Sequence, residues 1–161
     1  MSSLKWRRPG EPLKREDITK VEQLFGVSFP EDYVKCAQLY HGASVIPYCV
    51  DFNDNVRVFA NLLSFADNST DNIVKAYISN KDRFKDGIFP FACDLAGNYF
   101  CFDYRKDKSN PSIIFWIHEL AVSELDYSQD ELTRINLSDV QERAMERVCS
   151  SFTELLSMLH T

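Results

Sequence analysis

The sequence predicts a β-sheet covered by helices, and three observations carry that expectation. The first is the stretch Ile88-Phe89-Pro90-Phe91-Ala92-Cys93-Asp94-Leu95-Ala96-Gly97-Asn98-Tyr99-Phe100-Cys101-Phe102-Asp103-Tyr104, two apolar runs around a Leu-Ala-Gly-Asn break. Gly97 and Asn98 readily accept positive φ, as a tight reversal needs, so the stretch reads as a β-hairpin. The second is that both faces of each run are mainly apolar. Phe89, Phe91 and Cys93 share one side of the outgoing strand, and Phe100, Phe102 and Tyr104 share one side of the return. Such a hairpin belongs in the middle of a sheet with helices packed on it. The third is helical periodicity near both ends of the chain.

Residues 1–15 mix charge with Pro9, Gly10 and Pro12 and read as a loosely held basic arm, tacked down by Trp6. Residues 16–161 read as one domain. A helix starts at Asp17 as N-cap, places Ile18, Val21 and Leu24/Phe25 on one face, and ends at Gly26. A second follows at once. Ser28 and Glu31 have capping-box spacing, and Pro30 sits in the first turn, where its missing N–H costs nothing. Tyr33, Cys36/Ala37 and Tyr40 recur at helical spacing, and Gly42 ends the element.

From Ser44 to Phe65 the pattern turns to strands, 45–50 and 56–59, with Asn53-Asp54-Asn55 as the turn between them. Pro47 places the first run at a sheet edge or on a bulge. Thr70 or Asp71 caps a helix through Ile73, Val74, Tyr77 and Ile78. Lys81 to Gly87 is a charged loop, and Pro111 opens a buried strand over 112–118. Residues 119–137, rich in acids, read as a loop or irregular insertion. Ser138 and Gln141 then form a capping-box pair for a final helix, with Val140, Ala144, Val148, Phe152, Leu155 and Leu159 in one stripe.

Composition bounds the function. At 161 residues, 45% hydrophobic and 13% aromatic, the chain builds a sizeable core and is no disordered segment. The formal charge is −6, unevenly spread. Residues 1–15 hold five basic residues and one acid, which leaves 13 basic and 23 acidic residues, about −10, for 16–161. A surface this acidic repels nucleic acid and attracts basic proteins, although ordinary solubility charge gives the same count.

Leu4-Lys5-Trp6-Arg7-Arg8 is not followed by an apolar stretch, so no signal sequence or membrane span is expected. Five scattered cysteines, Cys36, Cys49, Cys93, Cys101 and Cys149, read as buried thiols in a reducing compartment, and the cytoplasm is the expected location.

The residues offer little chemistry. His41, His118 and His160 share no local spacing and no Cys-x-x-Cys exists, so no metal is expected. The five glycines form no phosphate-cradling loop, and there is no G-x-S-x-G elbow, so no cofactor is expected. His118 near Asp103 or Glu119, or a Cys/His pair meeting in the fold, are the enzymatic alternatives. The cysteines sit in apolar runs where a thiolate is costly. The reading is a protein that is not an enzyme.

Three motifs in series resemble a known family. Ile18-x-x-Val21-Glu22-x-x-Phe25-Gly26-Val27-x-Phe29-Pro30-x-x-Tyr33, ending Tyr40-His41-Gly42, is similar to the N-terminal motif of the SUKH superfamily (SMI/KNR type). Ile88-x-Pro90-Phe91-Ala92-x-Asp94-x-x-Gly97-Asn98-x-x-x-x-Asp103 resembles its central hairpin, and Ser150-Ser151-Phe152-x-x-Leu155-Leu156 its final helix. Phe29 stands where that motif has Leu, His41 where it has Asn, and 119–137 is longer than expected. The matching residues Glu22, Gly26, Pro30, Tyr33, Gly42, Gly97, Asn98 and Phe152 are structural.

The resemblance implies an α+β domain: a twisted, mostly antiparallel sheet flanked by helices, with an N-terminal helical pair and a C-terminal helix packed on it. It further implies an immunity-type protein that binds and neutralises a basic toxin domain, often a nuclease. Regulatory or scaffolding modules of the same superfamily are the alternative. Exposed acids near strand ends and loops are the candidate contacts: Asp51, Asp54, Asp67, Asp94, Asp103, Glu119 and Asp126.

Overall fold

A computed structural model describes residues 3–161. Along the chain run β1 (Lys5–Arg7), α1 (Arg15–Phe25), α2 (Glu31–Tyr40), β2 (Ser44–Ile46), β3 (Cys49–Phe52), β4 (Asn55–Val58) and β5 (Asn61–Leu62). They are followed by α3 (Ile73–Asn80), β6 (Ile88–Cys93), β7 (Tyr99–Asp103), β8 (Ser112–Trp116), α4 (Gln129–Leu132), α5 (Leu137–Glu142), β9 (Met145–Cys149) and α6 (Phe152–Ser157). Among the described residues, a seven-stranded antiparallel sheet has the order β1-β2-β5-β6-β7-β8-β9, and β3-β4 form a separate two-stranded ribbon. The architecture is α+β.

The hairpin β6-β7 lies at the centre, and its two apolar faces each meet a core. Phe89, Phe91, Phe100 and Phe102 join the larger core with Ile18, Tyr33, Phe59 and Phe152, under α1, α2, α6 and the ribbon. Ile88 and Cys101 join Phe84, Ile114, Trp116, Ala121 and Ala144 in a smaller core on the other face. Tyr33 is the hub, with ring centroids 5.1 Å from Phe102, 5.6 Å from Phe91 and 5.4 Å from Phe152. Burying each such side chain contributes about 1.5–3 kcal/mol before entropy is counted.

Gly97 takes φ 87° in the β6-β7 turn, as a reversal there requires. Asn98 stays at negative φ and acts through its side chain, which is buried. Its amide Nδ2 donates to Asp94 at 2.8 Å, and its Oδ1 accepts the His118 backbone N–H at 2.9 Å.

The helical corner forms as the sequence implies, with shifted caps. Asp17 is the third residue of α1, not its cap, and accepts the Lys14 N–H at 2.9 Å. Gly26 closes α1 in the left-handed region at φ 75°. Pro30, not Ser28, precedes α2, and Gly42 at φ 79° turns the chain after it. Glu22 is buried, and its carboxylate accepts the Phe29 N–H, fixing the corner. Asn72, rather than Thr70 or Asp71, caps α3, with its side chain accepting from the N–H groups of Val74 and Lys75.

Two expectations are corrected. The stretch 1–15 contains β1, which pairs with β2 through Lys5↔Ile46, Trp6↔Val45 and Arg7↔Ser44. Trp6 stacks on Tyr40 with ring centroids 5.4 Å apart. The chain after β1 is tied down by Gly10 N–H to the His41 carbonyl (2.8 Å) and Leu13 N–H to the Gln38 carbonyl (2.9 Å). The expected final helix from Ser138 is instead α5, β9 and α6. Without β9 the buried strand β8 would leave an open edge, and pairing along that edge overrides helical spacing.

Smaller differences follow the same logic. Pro47 splits the first strand run, so β2 sits inside the sheet between β1 and β5 and Pro47 falls outside every strand. The strand opened by Pro111 ends at Trp116, and His118–Leu120 is a 3-10 turn. The stretch 119–137 holds short helical turns capped by Ser123 and Ser128.

Candidate partner-binding surface

The ribbon β3-β4 turns tightly at Asn53 and Asp54, both at positive φ (50° and 61°), as a two-residue hairpin turn demands. That geometry puts Asp54 at an exposed tip. Asp51 lies on the exposed side of β3, where its carboxylate accepts from His160 Nε2 at 2.9 Å. That bond, more than the Thr161 carbonyl, raises the His160 pKa above its ordinary value. Beside them Glu146 of β9 meets Arg57 at 3.6 Å and Asn53 at 3.3 Å.

A second acidic group gathers where β6 turns into β7. The Asp94 carboxylate accepts from the N–H groups of Ala96 and Asn98 and from the Asn98 amide, at 2.8–2.9 Å. Half-buried, it is the turn's internal brace. The Asn98–His118 bond brings the 3-10 turn of Glu119 to the same end of the sheet, and Glu119 is exposed. Asp67 is exposed in the β5-α3 loop, and its carbonyl accepts from Lys75. Sequence reasoning missed Asp71, which is exposed at the foot of that loop and accepts from the Asn61 amide at 3.4 Å. Together with Asp94 it helps keep the neighbouring Cys93 thiol protonated, although burial is the larger cause. Its proximity to Asp94 comes from β5-β6 pairing and has no local sequence signal.

Two expected contact acids stand elsewhere. Asp103 is buried, at the opposite end of β7, and Arg105 grips it with Nε and Nη2 at 2.9 Å. Arg105 also reaches Glu142 at 2.7 Å, and that guanidinium, seconded by Lys85, lowers the Glu142 pKa to about 2. Asp126 is exposed, and its carboxylate accepts the Ser123 N–H within a capping turn. His118 and Asp103 therefore lie at opposite ends of the sheet, which removes that one of the two pairings weighed for His118 from the sequence.

Cys93, Cys101 and Cys149 are buried as the sequence implies, whereas Cys36 and Cys49 are only partly buried. Burial pushes Cys36 and Cys93 up to about 12 and Cys149 to about 11, and Cys101 well above its ordinary value. Among the described residues no group of three His, Cys, Asp or Glu side chains is placed to hold a metal ion. No helix there is long and apolar enough to cross a membrane.

Between the two acidic groups runs a groove of about 610 Å³, lined by Arg7, Arg8, Ile46, Tyr48, Val58 and Leu95 among others.

The fold and this charge placement define an α+β domain whose distinctive chemistry lies on loop ends and ribbon tips. The chain belongs to the SMI1 / KNR4 family (SUKH-1), whose model matches residues 12–158. All three motifs read from the sequence fall inside that span. The chain is also similar to an SPbeta prophage-derived uncharacterized protein, YokK, of Bacillus subtilis (strain 168), with 26% identity over 131 residues. The match covers 70% of this chain and 66% of that protein, just under two thirds of its length.

Proposed function

We propose that this protein is a non-catalytic immunity protein that binds and neutralises a basic toxin domain, with a nuclease as the favoured target. Family membership supports a protein-binding role, and the observation that carries the choice of target is the exposed carboxylate set. Asp51 and Asp54 stand on the ribbon, Asp71 and Glu119 towards the β6-β7 end, and Asp67 apart from them in the β5-α3 loop beside Lys75. A nuclease site is built to attract phosphate, so a partner offering carboxylates can occupy the same basic surface. Complementary charge also speeds encounter, to about 10⁸–10⁹ M⁻¹s⁻¹ at low salt. Deeply buried thiols, held protonated, speak against a cysteine nucleophile. The prophage origin of the Bacillus relative accords with a role in conflict between cells or phages.

A pull-down with the tagged chain from its native cells, read by mass spectrometry, tests this. Recovery of a basic domain with the native chain, and its loss with Asp51→Lys, Asp54→Lys and Glu119→Lys combined, is the expected result. Recovery of kinases or cell-wall enzymes would instead favour a regulatory or scaffolding role. Retention of the basic domain by the charge-reversed chain would remove the electrostatic basis of the proposal.

A further inference from the structure

The sheet's second face is covered only in part. Over β6, β7 and β8 it is sealed by Phe84, Ala121 and Ala144 in the smaller core. At the β1-β2 end it opens, and strand alternation places Lys5 and Arg7 on the same side as Ser44 and Ile46, opposite the buried Val45. This open face is one wall of the 610 Å³ groove; Tyr48, Val58 of the ribbon and Leu95 of the β6-β7 turn complete it. Its apolar parts meet solvent: Ile46 is 39% exposed, Tyr48 50% and Leu95 86%.

The charge of this groove is opposite to that of the domain around it. Successive strand residues point to opposite faces, yet Arg7 and Arg8 both line the groove. Arg8 achieves this at φ 57°, a left-handed backbone that is uncommon for a bulky residue and disfavoured before a proline such as Pro9. Strain of this kind clusters where a side chain must be presented for use. Neither guanidinium has a carboxylate within 4 Å among the described residues, and Asp94 beside Leu95 is turned onto its own loop N–H groups. Two uncompensated arginines over an aromatic and aliphatic floor match one kind of occupant.

We infer that this groove docks an extended acidic segment of a protein partner, with carboxylates on Arg7 and Arg8 and a large apolar side chain between Ile46, Tyr48 and Leu95. Arginine forks suit carboxylates, and paired aromatic and aliphatic walls suit a leucine- or phenylalanine-type anchor. The site stands independently of the toxin reading, since its charge is opposite to that of the acidic surface. It gives the protein two oppositely charged contact regions.

The test is fluorescence anisotropy of the full chain with a fluorescein-labelled peptide alternating glutamate and leucine. A glutamine-for-glutamate peptide and a single-stranded oligonucleotide serve as parallel probes. The glutamate peptide binds about tenfold tighter than the glutamine peptide, and more weakly as salt rises. Arg7→Glu with Arg8→Glu weakens it at least about tenfold, and Leu95→Ser, at a site with no packing role, weakens it severalfold. Equal affinity for the two peptides overturns the inference, as does indifference to both variants. Tighter binding of the oligonucleotide overturns it in favour of nucleic acid. Self-association abolished by the arginine reversal overturns it in favour of a second copy of the chain.

Discussion

The Glu22 carboxylate accepts the Phe29 backbone N–H at 2.6 Å and the Arg15 guanidinium at 2.8 Å. Glu22 thus joins the end of α1 to the start of α2, across a corner that has no side-chain cap on α2. Removing it leaves a buried N–H without a partner, so Glu22→Ala costs about 1.5–3 kcal/mol. Glu22→Gln keeps an acceptor for Phe29 but sets an amide NH₂ against Arg15, and falls between. Urea unfolding midpoints at constant slope check both.

Gly10 is fixed by a neighbour rather than by its backbone. A Cβ there would overlap the His41 ring, standing 2.6 Å from Nε2. His41 cannot yield, because it is buried, with Nε2 on the Glu11 carbonyl at 2.7 Å and Nδ1 accepting the Phe65 N–H at 3.0 Å. That pairing fixes the tautomer with the proton on Nε2. Gly10→Ala is therefore expected to cost about 1–3 kcal/mol. It is also expected to loosen the chain that follows β1, seen as faster amide exchange at Leu13.

Glu142 provides a pH test. Its folded pKa, near 2, lies below the ordinary 4.5 because Arg105 and then Lys85 hold the charged form. The contribution is therefore complete above pH 4.5 and is lost as pH falls towards 2. The side chain is 49% exposed, so solvent screening keeps the effect below about 1 kcal/mol. Thermal midpoints of the native chain and Glu142→Gln should differ at pH 6 and converge by about pH 2. A gap that persists there contradicts the ion-pair account.

Burial of the thiols predicts their reactivity. Cys93, Cys101 and Cys149 are buried and held protonated, so thiol reagents should label them only as fast as the chain opens. Mass spectrometry after a timed pulse, with and without urea, separates this from a reactive cysteine, which would label at once.

The fold was legible where local and tertiary preferences agree. Gly97, Gly26 and Gly42 each mark a reversal that requires positive φ, and Phe91 and Phe102 announce a buried hairpin by their neighbours. It was not legible at β9. There Val140, Ala144, Val148 and Phe152 keep a helical spacing, while the edge of β8 decides the structure. The signal that could have found the break is Ser151-Phe152-Thr153-Glu154, a capping pattern in the middle of the supposed helix; Ser151 does accept the Glu154 N–H at 3.1 Å. Strand β1 carries one apolar residue between two charges, too short a pattern to read. Among the candidate acids, sequence placed Asp51 and Asp54 together through their turn. It did not separate Asp103 from Asp94, because only the length of β7 sets them at opposite ends of the sheet.

The most direct test of the central claim is inhibition of the captured basic domain by the purified chain. The domain's activity, measured as cleavage of nucleic acid for a nuclease, is titrated with native chain and with the Asp51, Asp54 and Glu119 lysine variant at low and moderate salt. Activity is expected to fall linearly to an end point near one chain per domain, with the variant shifted to higher concentration. Full activity at saturating native chain would contradict neutralisation by binding.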